Sequence, residues 1–225
     1  MVENVEGRQE NSLTELDVGP GGSFFSSCYQ QRRRSLSQRL LLDSRTQGVL
    51  LSIDLQLAEA TRERGCPCGG ALHVANFWRK PRGAGAIEDP RFEQRFSFCC
   101  SRDGCRSRTT PASARFLDQR VYVGAVVVLV AALREGPTPT RMSVLRRELG
   151  VDARTVQRWQ IYWREEFPRL PSAVLMRSRW VGVEGLSPAA LLEWSRSRGD
   201  EDPVVVVLRE IAACKSLVTQ SGHAA

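Results

Sequence analysis

The chain has 225 residues, a formal charge of +7 and a pI near 9.4, enough for one large domain or two small ones and basic enough to favour a polyanionic partner. Lys80 and Lys215 are the only lysines, so arginine carries the positive charge, and its planar fork suits phosphate and guanine edges. The first residues lack a basic segment followed by an apolar one, so no secretory signal is expected and a reducing cytoplasm is the expected compartment. The run "VYVGAVVVLVAAL" from Val121 is shorter than the roughly 20 residues a bilayer requires, and it reads as a buried helix.

In chain order, residues 1–38 are rich in Gly, Ser, Glu and Gln without apolar periodicity, and a disordered tail is expected there. "SIDLQLAEATRERG" places Ile53, Leu55, Leu57 and Ala58 before a charged end and Gly65, a pattern that predicts a short helix with a glycine stop. Residues 66–108 are then rich in turns and cysteines, within a ribbon-like domain predicted over 50–112, and "EQRFSFCC" alternates Phe96 and Phe98 on one face of a short strand. Beyond Pro111 the pattern is helical. Helices are predicted over 117–134, about 140–149, 152–166, 188–196 and 203–217, grouped as a helical domain at 113–170 and C-terminal helices at 171–225. The predicted fold class is mainly α with a small β zinc ribbon.

Cys66 and Cys68 are separated by Pro67 alone; after a further 31 residues come Cys100 and Cys105 with four residues between them. Two close pairs flanking a hairpin-sized insert are how two turns face each other and hold one ion tetrahedrally, and thiolate sulfur suits Zn²⁺. Pro67, Gly69 and Gly70 are expected to bend the backbone so that amides point at sulfur, and Arg64, Arg102, Arg106 and Arg108 to relieve the cluster's negative charge. Because a one-residue spacing in extended backbone sends the two thiols to opposite faces, Cys99 and His73 stand as alternative ligands. Catalytic zinc is disfavoured, since such sites use histidine and an open position, and the chain has only His73 and His223.

"SVLRRELGVDARTVQRWQIYW" has the form of a helix-turn-helix over 143–166. Leu145 and Leu149 face the crossing, Gly150 supplies the turn, Val151 packs under it, Asp152 caps the second helix, and Val156 and Trp159 face back. The outward positions are then Ala153, Arg154, Thr155, Gln157 and Arg158, of which arginine suits guanine and glutamine suits adenine. Arg141, Arg146, Arg147 and Arg164 are candidates for phosphate. Arg146 stands where a small residue is usual and must direct its stem out of the crossing.

The order of ribbon, apolar helix and helix-turn-helix resembles the N-terminal DNA-recognition region of bacterial insertion-sequence transposases. The string "CPCGGALH...RKPRG...RFSFCCSRDGCRSRTTP...RVYVGAVVVLVAAL" is similar to uncharacterised transposase-related bacterial proteins, over roughly residues 50–170. That resemblance implies zinc on Cys66, Cys68, Cys100 and Cys105, and DNA contact from Arg154, Gln157 and Arg158. The strand-transfer activity is not expected to follow, because 58 residues remain after Phe167, whereas a catalytic domain of that kind needs on the order of 100. The expectation is therefore a cytoplasmic, nucleoid-associated protein that binds double-stranded DNA, is not an enzyme, and carries a structural zinc. Its terminal helices, with Trp194 and Val204 to Leu208, complete the core or form a homodimer contact. A protein-interaction ribbon, an RNA-binding protein and a thiol redox protein on Cys66 and Cys68 are the alternatives.

Overall fold

The computed structural model describes residues 42–117, 122–133, 137–180, 183 and 185–221; the tail expected at 1–38 lies outside the described residues. Helix α1 (Ser44–Arg64) begins earlier than the apolar pattern predicts because the Asp43 carboxylate accepts the Thr46 N–H at 2.8 Å, and it stops at Gly65, whose φ of +73° a helix cannot continue. Its buried face runs through Gln47, Leu50, Leu51, Asp54, Ala58 and Thr61. Leu55 is exposed. Polar Gln47 and Asp54 take core positions, so apolar periodicity alone misplaces the helix.

The ribbon follows as β1 (Leu72–Val74), β2 (Phe77–Trp78), β3 (Gln94–Arg95), β4 (Phe98–Cys100) and β5 (Arg108–Thr109). β1 pairs antiparallel with β4 and β4 with β5, while β2 pairs with β3, keeping Leu72 opposite Cys100 and Phe77 opposite Arg95. The single strand predicted from "EQRFSFCC" is thus split. At the gap the Ser97 N–H donates to Asn76 Oδ1 and Ser97 O accepts from Ala75, so the ladder is bridged through a side chain. Phe96 and Phe98 are both buried, as their alternation predicts.

Helix α2 (Gly124–Ala131) starts later than predicted. Leu117 is buried but not helical; residues 118–121 and 134 lie outside the described residues. Val123 pairs its backbone with Phe116 and gives its N–H to Arg82 O at 3.0 Å, which holds the chain extended up to that point. Gly124 must then be small, because a Cβ there would lie 2.9 Å from Leu208 Cδ2. Val126, Val127, Val128 and Val130 are all buried, the mark of a helix enclosed on every side.

Against it pack α4 (Ala153–Ile161), α6 (Pro188–Arg196) and α7 (Pro203–Ser221), while α3 (Pro139–Leu149) and α5 (Pro171–Arg179) are the further helices among the described residues. α7 touches α1, α2, α5 and α6, and Val204, Val205, Val207 and Leu208 are buried within this one chain. α6 has the predicted bounds, with Ser187 as its cap. α5 was not predicted; Ala173 and Met176 are its buried apolar side chains, too few for a recognisable period. The predicted helix at 152–166 ends sooner, since the backbone widens to a π-turn at Tyr162–Glu166 and tightens again at Phe167–Arg169. This brings Tyr162, Trp163 and Phe167 together, the last two 4.4 Å apart between ring centroids. The fold is mainly α with a small antiparallel sheet.

One ion pair joins these parts. The Asp54 and Arg115 side chains are both 0% exposed, and Arg115 Nε donates to Asp54 Oδ2 at 2.7 Å. Asp54 also accepts the Ala114 N–H at 2.6 Å and the Ser113 hydroxyl. Arg115 Nη1 donates to the carbonyls of Arg91 and Phe92, and the rings of Phe96, Phe116 and Phe92 surround its guanidinium at 4.8 to 5.4 Å. Removing one partner leaves the other charge buried alone, which costs about 3–5 kcal/mol. Asp54→Ala is therefore expected to lower stability by about that amount in equilibrium urea unfolding. The double variant Asp54→Leu/Arg115→Met should lose less than Asp54→Ala, because no orphaned charge remains.

Candidate functional site

Helix α1 delivers Cys66 directly past its glycine stop. The Cys66 N–H donates to Gly70 O at 3.0 Å and the Gly69 N–H to Cys66 O at 2.8 Å, closing a tight loop with Gly69 at φ +79°. That loop resolves the one-residue spacing: Cys66 and Cys68 turn to one side instead of opposite faces. Cys100 ends β4, and a second turn, closed by the Cys105 N–H on Arg102 O at 3.1 Å with Gly104 at φ +86°, returns Cys105. The four sulfurs lie within 4.8 Å of one another, with Cys66 to Cys105 at 3.8 Å and Cys68 to Cys100 at 3.4 Å. Four sulfurs about 2.3 Å from one tetrahedral ion are about 3.8 Å apart, so the residues present fit such an ion. Gly70 is required by space: a Cβ there would lie 2.6 Å from Cys100 Sγ and 3.4 Å from Cys68 Sγ.

Cys99 and His73 are not part of this cluster. They sit opposite each other in the β1–β4 register, and Cys99, which alternates with Cys100 along the strand, points its thiol at Arg106 O, 3.6 Å away. His73 is exposed. Among the described residues, no other group of three or more His, Cys, Asp or Glu is gathered in this way.

The arginines behave differently from the expectation. Arg64 bonds Thr61, Arg106 pairs with Asp103, and Arg108 lies over the Phe77 ring. Arg102 does touch the cluster, but its guanidinium donates to the Cys68 carbonyl and its amide to Cys100 Sγ at 3.4 Å. Ser107, which spacing did not mark, contributes more. Its hydroxyl lies 3.4 Å from Cys66 Sγ and 3.2 Å from Cys105 Sγ.

These contacts set the acidity of the thiols. Hydrogen bonds from the Ser107 hydroxyl and amide bring Cys105 down to about 6, and the Ser107 hydroxyl with the Cys68 amide lowers Cys66. At Cys100 the Arg102 amide favours the thiolate, yet burial and the three neighbouring sulfurs outweigh it and push the thiol up to about 12. Crowded thiols therefore give up their first proton readily and hold their last. A divalent cation among them removes the repulsion that holds that last proton. All four positions of such an ion would be filled by protein sulfur, the closed arrangement of a structural site and not of a catalytic one.

The second candidate element is the pair α3 and α4. Thr138 caps α3, and Gly150 ends it at φ +64°, ψ +24°, with its N–H on Arg146 O and the Val151 N–H on Leu145 O, both at 3.1 Å. Asp152 accepts the Thr155 N–H at 2.6 Å to start α4, and that bond holds its carboxyl below the usual carboxylate range. Leu145, Leu149, Val151, Val156 and Trp159 are buried as the spacing predicts. Tyr122 fastens the pair from outside: its hydroxyl donates to Gly150 O at 2.9 Å, and its ring meets Trp159 edge-on at 5.0 Å.

Ala153, Arg154, Gln157 and Arg158 are exposed on the opposite face of α4. Thr155 is not. It is 6% exposed, because its amide is tied to the Asp152 cap and its hydroxyl accepts from Arg158 Nη2 at 3.1 Å, so it steadies Arg158 instead of facing outward. Arg146 is exposed, so its stem does clear the crossing, and Arg141 is exposed beside it. Arg147 and Arg164 are exposed and paired with Glu148 and Glu165 at 2.8 Å, the latter on the π-turn beyond α4. No helix among the described residues is long and apolar enough to cross a membrane. No family model matches this chain, and neither a curated protein nor a solved structure does.

Proposed function

We propose that this chain is a sequence-specific DNA-binding protein, a transposase-like recognition module without a catalytic domain, whose cysteine cluster holds a structural zinc. The observation that carries the reading is α4 itself. One side is locked into the core by Val156 and Trp159, and the other offers Arg154, Gln157 and Arg158 to solvent. As a helix-turn-helix, the pair would lay α4 in the major groove, where arginine forks onto guanine O6 and N7 and glutamine onto adenine N6 and N7. Arg141, Arg146, Arg147 and Arg164 flank that face and suit phosphate, with Glu148 and Glu165 giving up their partners when DNA binds. On this reading the protein works by binding and catalyses nothing.

Zinc is the ion of choice for four thiolates at this separation, being soft enough for sulfur and content with tetrahedral geometry. Its role is architectural: the ion joins the end of α1 to the β4–β5 turn and thereby fixes the ribbon against the helices. Purified protein is expected to carry one zinc per chain by elemental analysis. Gly70→Ala, which puts a methyl group against two of the sulfurs, should weaken zinc retention in a competition with a chromogenic chelator, as should Cys100→Ser. A metal-free, natively folded preparation would overturn the assignment.

DNA binding is tested by fluorescence anisotropy on duplexes enriched from a random pool. Arg154→Ala/Arg158→Ala should weaken binding by about 1–3 kcal/mol for each lost two-point base contact and relax preference at the bases concerned. Unchanged affinity in that variant would remove α4 as the reading helix.

A further inference from the structure

The segment "RKPRGAGAI" (79–87) carries three cations and no carboxylate, and the cysteine cluster makes no use of it. It is held in an unusually determined conformation. Lys80 has φ +47°, a left-handed backbone that lysine adopts only when its surroundings impose it. Pro81 is buried. Gly83, at φ +80°, is pressed so closely on α2 that a Cβ would lie 2.8 Å from Val126 Cγ2. Arg82 O accepts the Val123 N–H at 3.0 Å, and Gln47 Nε2 donates to Ala84 O at 2.9 Å and to Ala86 O at 2.7 Å. The backbone is thus bonded to α1 and to the start of α2, while the Lys80 and Arg82 side chains remain in solvent.

The position of this loop is set by Tyr122. Arg82 and Tyr122 are backbone-bridged, and the Arg82 guanidinium lies 5.9 Å from the centroid of the Tyr122 ring. The hydroxyl of that same ring holds Gly150 O, in the turn that leads into Ala153, the first residue of α4. The N-terminal end of a recognition helix is the end that enters the groove, and the backbone strands bordering the groove pass beside it. A single tyrosine ring therefore separates Arg82 from the groove-entry end of α4.

We infer that the loop at 79–83 is a second DNA contact, with Lys80 and Arg82 gripping the sugar-phosphate backbone beside the groove read by α4. This rests on the reading of α4 given above. The left-handed Lys80 and the glycine pressed on Val126 hold the backbone that carries the two cations in place before DNA arrives, so little backbone freedom remains to be lost on binding. A backbone contact of this kind orients the helix and adds affinity without reading sequence.

The test measures the dissociation constant against salt, using the full chain and two fluorescein-labelled duplexes, one enriched by selection and one of scrambled sequence. Lys80→Ala and Arg82→Ala are each expected to reduce the slope of log Kd on log salt by about 1, equally on both duplexes. Arg82→Lys, which keeps the charge, should retain the wild-type slope, and thermal melting of each variant checks that the fold is kept. An unchanged slope in both alanine variants, with Arg154→Ala/Arg158→Ala still impaired, overturns the loop contact and leaves the α4 reading standing. A loss confined to the enriched duplex overturns the backbone assignment, because it means that the loop reads bases. If the wild-type chain binds neither duplex, the α4 reading fails and the loop contact falls with it.

Discussion

The architecture depends on a charge pair that has no access to water. Asp54 sits on α1, Arg115 on the segment that leaves the ribbon, and the carbonyls and rings that complete the guanidinium's surroundings come from the 90–93 turn, from Phe96 between β3 and β4, and from the neighbouring Phe116. A buried ion pair is weak evidence of net stability, since well-packed apolar groups do as well. Its geometric demand is strict. Asp54 also takes up the Ala114 N–H and the Ser113 hydroxyl, and Arg115 Nη1 reaches two carbonyls, so α1, ribbon and connector must come into register for the pair to form. Arg115 O also accepts the Gly124 N–H at 2.7 Å, so the residue that anchors α1 also sets where α2 begins.

The ribbon needs that anchorage. Its strands are two or three residues long, far below what an isolated sheet requires, and its buried face of Leu72, Phe96 and Phe98 belongs to the same core as the helices. The sulfur cluster lies at the far edge of this face, where α1 ends and the β4–β5 turn returns. Geometry and electrostatics are opposed there. The turns draw four thiols within 4.8 Å, while burial and mutual repulsion keep Cys100 protonated up to about 12. A divalent cation bound among the four sulfurs would reconcile the two.

How far the sequence discloses this structure depends on the kind of interaction. Local rules are written in single residues: Gly65 and Gly150 stop helices, Asp152 and Ser187 start them, and Val156 with Trp159 gives the inner face of α4. The cysteine spacing likewise identified all four clustered thiols, although extended-backbone geometry argued against one pair until the 66–70 turn was seen. Long-range polar contacts leave no such trace. Asp54 and Arg115 look like surface charges in a chain a quarter charged, and their burial follows from a partner 61 residues away. Ser107 reaches its two sulfurs only once the turn is folded. Thr155 looked outward on a helical wheel, but the Asp152 cap and Arg158 claim it from either side. The start of α2 was misplaced because the apolar run "VYVGAVVV" has no polar break, and the backbone bond from Val123 to Arg82 is what delays the helix.

Tyr122 shows how these levels combine. Its backbone bridges to the basic loop, its ring lies between Arg82 and Trp159, and its hydroxyl caps the carbonyl of the α3–α4 turn. A phenylalanine in its place would keep the packing and lose the bond to Gly150 O, so ring and hydroxyl have separable duties. Loop, turn and α4 are therefore linked through one side chain, and the loop meets α2 at Val123 and Gly83. Under the proposed reading, a loop backbone and a helix tied to the same tyrosine would present their cations to a regular polyanion with little backbone ordering left to be done.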